Sequence, residues 1–250
     1  MNVNIISQFT SGRSGAKVYL AEKNGIVGVY KTNIKDPYGV AELSKKLPFR
    51  TPEIYDISDD SIFMEYINGT PIKEIIKKNE SSSLNVISDF ILNYIEYAFS
   101  SSEGLFDFRD VIDEKINKVS SYISPNYFSN LHTIYPKSVI HGDFTFDNMI
   151  YYENEIVLID LSPTPLSSIH FDINKFRQDL SGYWFVRYED SKAPWVNYCE
   201  EIYRLINDRY QSLFDDKLYN LMVARIFPYC KENTYDFEYI KHITVPVLNS

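Results

Sequence analysis

The sequence predicts an α+β protein, with a small N-terminal lobe of antiparallel strands carrying one helix and a larger, mainly helical C-terminal lobe. Three observations carry that prediction. The first 67 residues hold short apolar runs of alternating pattern, joined by turn signals such as Asn24-Gly25. The cluster Asn68-Gly69-Thr70-Pro71 then breaks the chain and marks the lobe boundary, giving 1–67 and 68–250. Beyond it, apolar residues recur at helical spacing in one segment after another.

In chain order, residues 5–31 read as three short strands. Ile5, Ile6 and Phe9 lead into the glycine-bearing stretch Ser11-Gly12-Arg13-Ser14-Gly15-Ala16, and Ile26–Lys31 alternates as a strand ending in Lys31. Glycines there let backbone N–H groups approach an anion closely, although two glycines in a hairpin also make an ordinary turn. Asp36-Pro37 opens a helix, Asp as N-cap and Pro in the first turn. That helix carries Val40, Leu43 and Leu47 at helical spacing and stops before Pro48. Residues 52–57 and 61–67 read as a second hairpin.

Residues 72–135 read as helices with stripes Leu84, Ile87, Ile91, Ile95, Phe99 and Ile112, Ile116, Val119, Ile123. Ser100–Asp110 reads as a loop between them. Leu161–Ser168 contains Pro163 and Pro165 and is irregular. Ile169, Ile173, Phe176, Leu180 and Trp184 form another stripe, and Asp172 sits near the start of that helix. The tail holds two more amphipathic helices and a last segment, Tyr235–Tyr239, with Asp236 and Glu238.

Composition narrows the function. The chain has 250 residues, 44% hydrophobic and 24% charged, ordinary for a globular protein with a sizeable core. A net charge of −9 disfavours nucleic-acid binding, which wants a basic face. Two cysteines without a CxxC pair argue against a disulfide scaffold and for a reducing, cytoplasmic setting. No apolar run long enough to span a membrane and no leader-like start is found, so no membrane association is expected.

The chemistry concentrates in His141-Gly142-Asp143-Phe144-Thr145-Phe146-Asp147-Asn148, read as a short polar loop flanked by the apolar runs Val139-Ile140 and Met149–Tyr152. A further apolar run, Ile156–Ile159, ends in Asp160. Phosphoryl transfer needs a carboxylate to orient a hydroxyl and take its proton, and hard oxygen ligands for Mg²⁺ on the phosphates. Asp143, Asn148 and Asp160 are groups of those types.

His-Gly-Asp-x-x-x-x-Asn followed by Ile-Asp resembles the catalytic and metal motifs of the aminoglycoside phosphotransferase and choline kinase group, small-molecule kinases with a bilobal protein-kinase-like fold. Gly142 stands where the protein-kinase template has Arg, and Asp160-Leu161-Ser162 where it has Asp-Phe-Gly. The resemblance implies Asp143 as catalytic base and Asn148 and Asp160 as metal ligands. It makes Gly12, Ser14, Gly15 and Ala16 the nucleotide loop, with Lys31 on the α- and β-phosphates and Glu42 pairing with Lys31. It gives the Glu65 carbonyl and the Ile67 N–H to the adenine ring, and makes Asp172 and His141 supports rather than catalysts. The implied cofactors are ATP (or GTP) and Mg²⁺. The implied activity moves a γ-phosphoryl group to a hydroxyl of a small sugar, aminoglycoside or amino alcohol. A nucleotide-binding module without transfer, or a kinase acting on a protein side chain, is the competing reading. The sequence does not name the acceptor or the oligomeric state.

Overall fold

The computed structural model describes residues 3–9 and 15–244. The chain divides into two compact units: one holds residues up to Thr70 together with Asn148–Pro163, the other Pro71–Asp147 and Thr164 onward.

The first unit is built on a five-stranded antiparallel sheet. Its strands are β1 (Asn4–Gln8), β2 (Lys17–Lys23), β3 (Ile26–Thr32), β4 (Ile54–Ser58) and β5 (Ser61–Glu65), ordered β1-β2-β3-β5-β4. Asn24 and Gly25 both take left-handed φ, 53° and 80°, so the β2–β3 connection is the tight hairpin that Asn-Gly encodes. In the centre, Gly28 lets strands and rings close in: a Cβ there would meet the Met64 carbonyl at 2.5 Å and the Phe63 ring at 2.9 Å. Helix α1 (Pro37–Lys46) starts as expected, with the Gly39 N–H donating to the Asp36 carboxylate at 2.9 Å. The two-residue strand β6 (Thr70–Pro71) lies where the chain leaves this unit.

The second unit is helical. It comprises α2 (Ile72–Lys78), α3 (Ser81–Ser100), α4 (Arg109–Val119), α5 (Ile169–Leu180), α6 (Ala193–Tyr210), α7 (Asp216–Ala224) and α8 (Tyr235–Ile243). One buried cluster joins Phe108, Ile112, Phe171, Trp184, Leu218 and Phe227, so the stripes on α4, α5 and α7 face one another. Two short strands interrupt the helices, β7 (Leu105–Asp107) and β8 (Ile134–Pro136), paired antiparallel. The first falls inside the segment expected to be a loop. Strands of three residues give no readable alternation, and their partners lie far apart in sequence.

The chain re-enters the first unit as the hairpin β9 (Met149–Tyr152) and β10 (Glu155–Leu158), with β6 beside β9. The Leu158 N–H donates to the Arg50 carbonyl at 2.9 Å, which ties the hairpin to the rest of its unit. Val139 and Ile140, expected as a strand, are irregular; the strand in that region is Ile134–Pro136.

Candidate active site

In the first unit, a cavity of about 260 Å³ opens between the sheet and the β9–β10 hairpin. Val18 and Val29 line one wall and Ile150 and Ile159 the other, a slot with apolar faces suited to a flat aromatic ring. Its edge is the stretch Glu65-Tyr66-Ile67 that follows β5. The Ile67 N–H meets no acceptor among the described residues. The Glu65 side chain faces elsewhere, taking hydrogen bonds from Arg50 and from the Glu53 N–H at 3.2 Å each.

The polar end of the cavity is Lys31 and Asp160, which form an ion pair. Lys31 lies one pair from the end of the ladder with β5, opposite Ile62, and its side chain is 17% exposed; Asp160 is 50% exposed. Asp160 has a left-handed φ of 61°, a conformation uncommon outside Gly, Asn and Asp. The Ile159 N–H donates to the Asn148 carbonyl at 3.0 Å, so residues 148 and 160 flank the same open end of the hairpin. Asn148 is buried.

Glu42 is not the partner of Lys31. It is exposed, and among the described residues it makes no ion pair. Helix α1 presents Val40 and Ser44 to a small cavity of about 30 Å³ beside Lys31 and Asp160. Residue 42 is two positions from each, on the opposite side of the helix. The acid that steadies Lys31 is Asp160. Of the glycine-bearing loop, Gly15 (φ 78°) and buried Ala16 are placed just before β2, whereas Gly12 and Ser14 lie outside the described residues.

In the second unit, residues 141–147 form a loop held from below by aromatic rings. Phe144 stacks on Tyr94 with centroids 4.0 Å apart and meets Phe176 at 5.1 Å; Phe146 meets Phe176 at 4.8 Å and Phe185 at 4.9 Å. Gly142 has φ 82°, a left-handed conformation that glycine adopts without strain. Its N–H donates to the Asp172 carboxylate at 3.1 Å. The Tyr94 hydroxyl donates to the same carboxylate at 2.6 Å and accepts from the His141 N–H at 2.7 Å. The Asp143 N–H donates to His141 Nδ1 at 3.1 Å, so the histidine ring braces the loop.

Electrostatics follow burial. Desolvation raises Asp172 to about 6, against the hydrogen bonds from Tyr94 and the loop N–H groups. Asp179, which accepts from the Phe146 N–H at 2.8 Å, is pushed up to about 8, by burial first and then by the charge of Asp147. Burial and the Asp172 charge hold the Tyr94 phenol well above its ordinary value.

Asp143 itself is half-exposed and ion-paired with Lys175 of α5. Lys175 was not singled out from the sequence. The signal that could have found it is the set Asp172, Lys175, Asp179, charges at helical spacing on a helix that is buried almost all round. In the tail, Asp236 is taken by Arg187 at 2.8 Å and by the Tyr188 hydroxyl at 2.5 Å, and Glu238 by Lys241 at 3.2 Å. Among the described residues, no helix is long and apolar enough to cross a membrane.

An antiparallel sheet with one helix, a helical unit, and an acidic loop followed by a hairpin ending in Asp define a protein-kinase-like fold. Within that class the chain has the fold of the aminoglycoside phosphotransferases, as the motif resemblance implied. A thermostable mutant of aminoglycoside phosphotransferase APH(4)-Ia superposes with a TM-score of 0.65 at 14% identity, over 99% of this chain and 95% of that one. A protein described as a fructosamine-3-kinase from Haemophilus somnus 129PT gives 0.54 at 14% identity, over 96% and 92%. The streptomycin–ATP complex of APH(2")-IIa gives 0.52 at 18% identity, over 94% of each chain. At such identities the likeness speaks for the fold. No protein-family model matches the sequence, and no curated protein does.

Proposed function

We propose that this protein transfers the γ-phosphoryl group of ATP or GTP to a hydroxyl of a small polar molecule. The observation that carries the reading is the cavity of the first unit, an apolar slot closed at one end by Lys31 and Asp160. Its faces suit a purine, and the Glu65 carbonyl and the Ile67 N–H along its edge suit the ring's own donor and acceptor. Lys31 is a point charge for the α- and β-phosphates.

The donor set fits Mg²⁺, which takes few protein oxygens and keeps its waters. Asn148 and Asp160 would hold it; when bound, it neutralises charge on the phosphates. Lys31, paired with Asp160 in this structure, is placed to meet the nucleotide phosphates. The first unit, with its hairpin, serves nucleotide binding, and the second supplies the base and the acceptor site.

In the transfer, the acceptor hydroxyl oxygen bonds to the γ-phosphorus while the bond to the β,γ-bridging oxygen breaks, and the nucleoside diphosphate leaves. The hydroxyl proton passes late to the Asp143 carboxylate. The transition state is loose, so a weak base suffices and positioning matters most. The N–H groups around Gly15 and Ala16 complete the phosphate contacts.

Two neighbours hold aminoglycosides, hygromycin B in an ADP complex of APH(4)-Ia and streptomycin in APH(2")-IIa. Together with the net charge of −9, they favour a cationic sugar or amino alcohol as acceptor. The test is ATP consumption by the purified protein with Mg²⁺ over a panel of aminoglycosides, sugars and amino alcohols. Asp143→Ala should lose at least about 10²-fold of the acceptor-dependent rate. Equal rates in mutant and wild type would remove Asp143 from the chemistry. No acceptor-dependent turnover would leave a nucleotide-binding module.

A further inference from the structure

One face of α5 holds the whole acidic loop. Asp172 takes the Gly142 N–H at 3.1 Å, Lys175 pairs with the Asp143 carboxylate, and Asp179 takes the Phe146 N–H at 2.8 Å. The spacings of three and four along the helix put these side chains in one row, and the row meets the loop in order. Two of the three grip backbone. Lys175 alone of that row grips the side chain proposed above as the base.

We propose that Lys175 is the positioning residue for Asp143, fixing one carboxylate oxygen and keeping the group ionised, so that the other oxygen is aimed for the acceptor hydroxyl. The inference rests on the reading of Asp143 as base. Three observations separate it from an ordinary surface ion pair. The Lys175 side chain is only 19% exposed and Asp143 32%, so the pair is partly withdrawn from water. Its lysine end is anchored in a helix whose neighbouring residues Asn174, Phe176, Arg177 and Gln178 are all buried. Its carboxylate end sits on a loop pinned by Phe144 and Phe146, so neither partner is a mobile surface chain.

The site also makes the charge costly. Burial, and then Arg225 at the end of α7, push the Lys175 amine down to about 7, while Asp179 pulls it back. An apolar residue would fill this position without that cost. A cation is useful only for what it does to the facing carboxylate. The groups facing the amine are Asp143 from the loop, Asp179 from its own helix and Arg225 from α7. A nearby cation favours the ionised carboxylate and weakens it as a base. A loose phosphoryl transition state tolerates the weakening and benefits from the aim.

The experiment uses the full chain and two readouts. The first needs no acceptor. Protein labelled at lysine ¹³Cε is titrated, and the Lys175 signal is assigned by its loss in Lys175→Arg. In Asp143→Asn its midpoint should fall, because the partner that stabilised the ammonium is gone; an unmoved midpoint overturns the pairing. The second is steady-state hydrolysis of Mg-ATP, with water as acceptor. Lys175→Met should lose about ten- to hundredfold in kcat. Its KM for ATP should hold, and the acid limb of its pH profile should move to higher pH. Lys175→Arg should recover most of the rate.

Adding Lys175→Met to Asp143→Ala should cost nothing further, since the lysine acts through the aspartate. A wild-type kcat and pH profile in Lys175→Met, with Asp143→Ala still impaired, overturns the role of Lys175 and leaves the base in place. A wild-type rate in Asp143→Ala overturns both. Should Lys175→Met fail to fold, the arginine variant and the titration decide.

Discussion

Asp179 offers a prediction whose magnitude follows from the structure. It is fully buried, accepts the Phe146 N–H through one oxygen, and its other oxygen meets no partner among the described residues. In the folded protein its carboxyl keeps its proton up to about 8, against an ordinary 3.8. Between those values the folded chain binds one more proton than the unfolded chain. Stability from this group is therefore complete below the ordinary value and is lost as pH rises toward 8, at about 1.4 kcal/mol per pH unit. Asp172, raised to about 6, adds the same sign of slope at lower pH. Lys175 is protonated in both states below about 7 and is silent there. Asp179→Asn keeps the shape and the acceptor for Phe146 and removes the titration. From pH 5 to pH 7 the wild type should lose roughly 3 kcal/mol relative to this variant. Urea unfolding followed by tryptophan fluorescence reads it, because both tryptophans, Trp184 and Trp195, are buried in the same unit as Asp179. Parallel stability curves for the two proteins across that range would refute the assignment of a protonated buried carboxyl.

Tyr94→Phe removes a donor from Asp172 and an acceptor from the His141 N–H at once, both inside the core. It should cost about 2–4 kcal/mol in urea unfolding, and a change under 1 kcal/mol would show that water replaces the hydroxyl. Glu42→Ala should leave kcat/KM for ATP within about twofold, since surface changes away from a site are near neutral. A large loss would mean that α1 turns Glu42 toward Lys31 when nucleotide binds. Asp160→Ala should abolish Mg²⁺-dependent turnover while Lys31, released from its partner, remains available to phosphate. An unaltered calorimetric affinity for Mg-ATP would count against Asp160 as a ligand.

Where local chemistry decides the conformation, the sequence could be read. Asn24-Gly25 encodes its turn because both residues tolerate positive φ. Asp36-Pro37 encodes a helix start because one caps and the other lacks the N–H that would go unused. The helical stripes announced α3 through α7 because apolar residues recur there at helical spacing. The reading failed where contacts are distant. The strands β7 and β8 exist through pairing across 26 or more residues of intervening chain, which no local pattern reports. Val139 and Ile140 are apolar because Ile140 is buried beside the loop, not because the backbone there is a strand.

The two lysines, Lys31 and Lys175, show the same divide among the candidate functional residues. Lys31 was singled out by a motif order, and the structure pairs it with Asp160 rather than Glu42, for a reason the helix pattern already contained. If Val40 marks the inward face of α1, a residue two positions on points away, and Glu42 is such a residue. The helical unit gives the converse case. Asp172 was expected as a helix-end charge, yet it works together with Lys175 and Asp179 as a row of three, each matched to one position of the loop. Ionisable groups on a buried helix face are costly unless hydrogen-bonded or paired, so their presence asks for partners of stated type: donors for the acids and a carboxylate for the lysine. That loop holds two carboxylates, Asp143 and Asp147, and the one that meets Lys175 is Asp143. The demand for a partner is legible from α5 once its burial is known, and the residue that answers it in the structure is the one proposed above as the base.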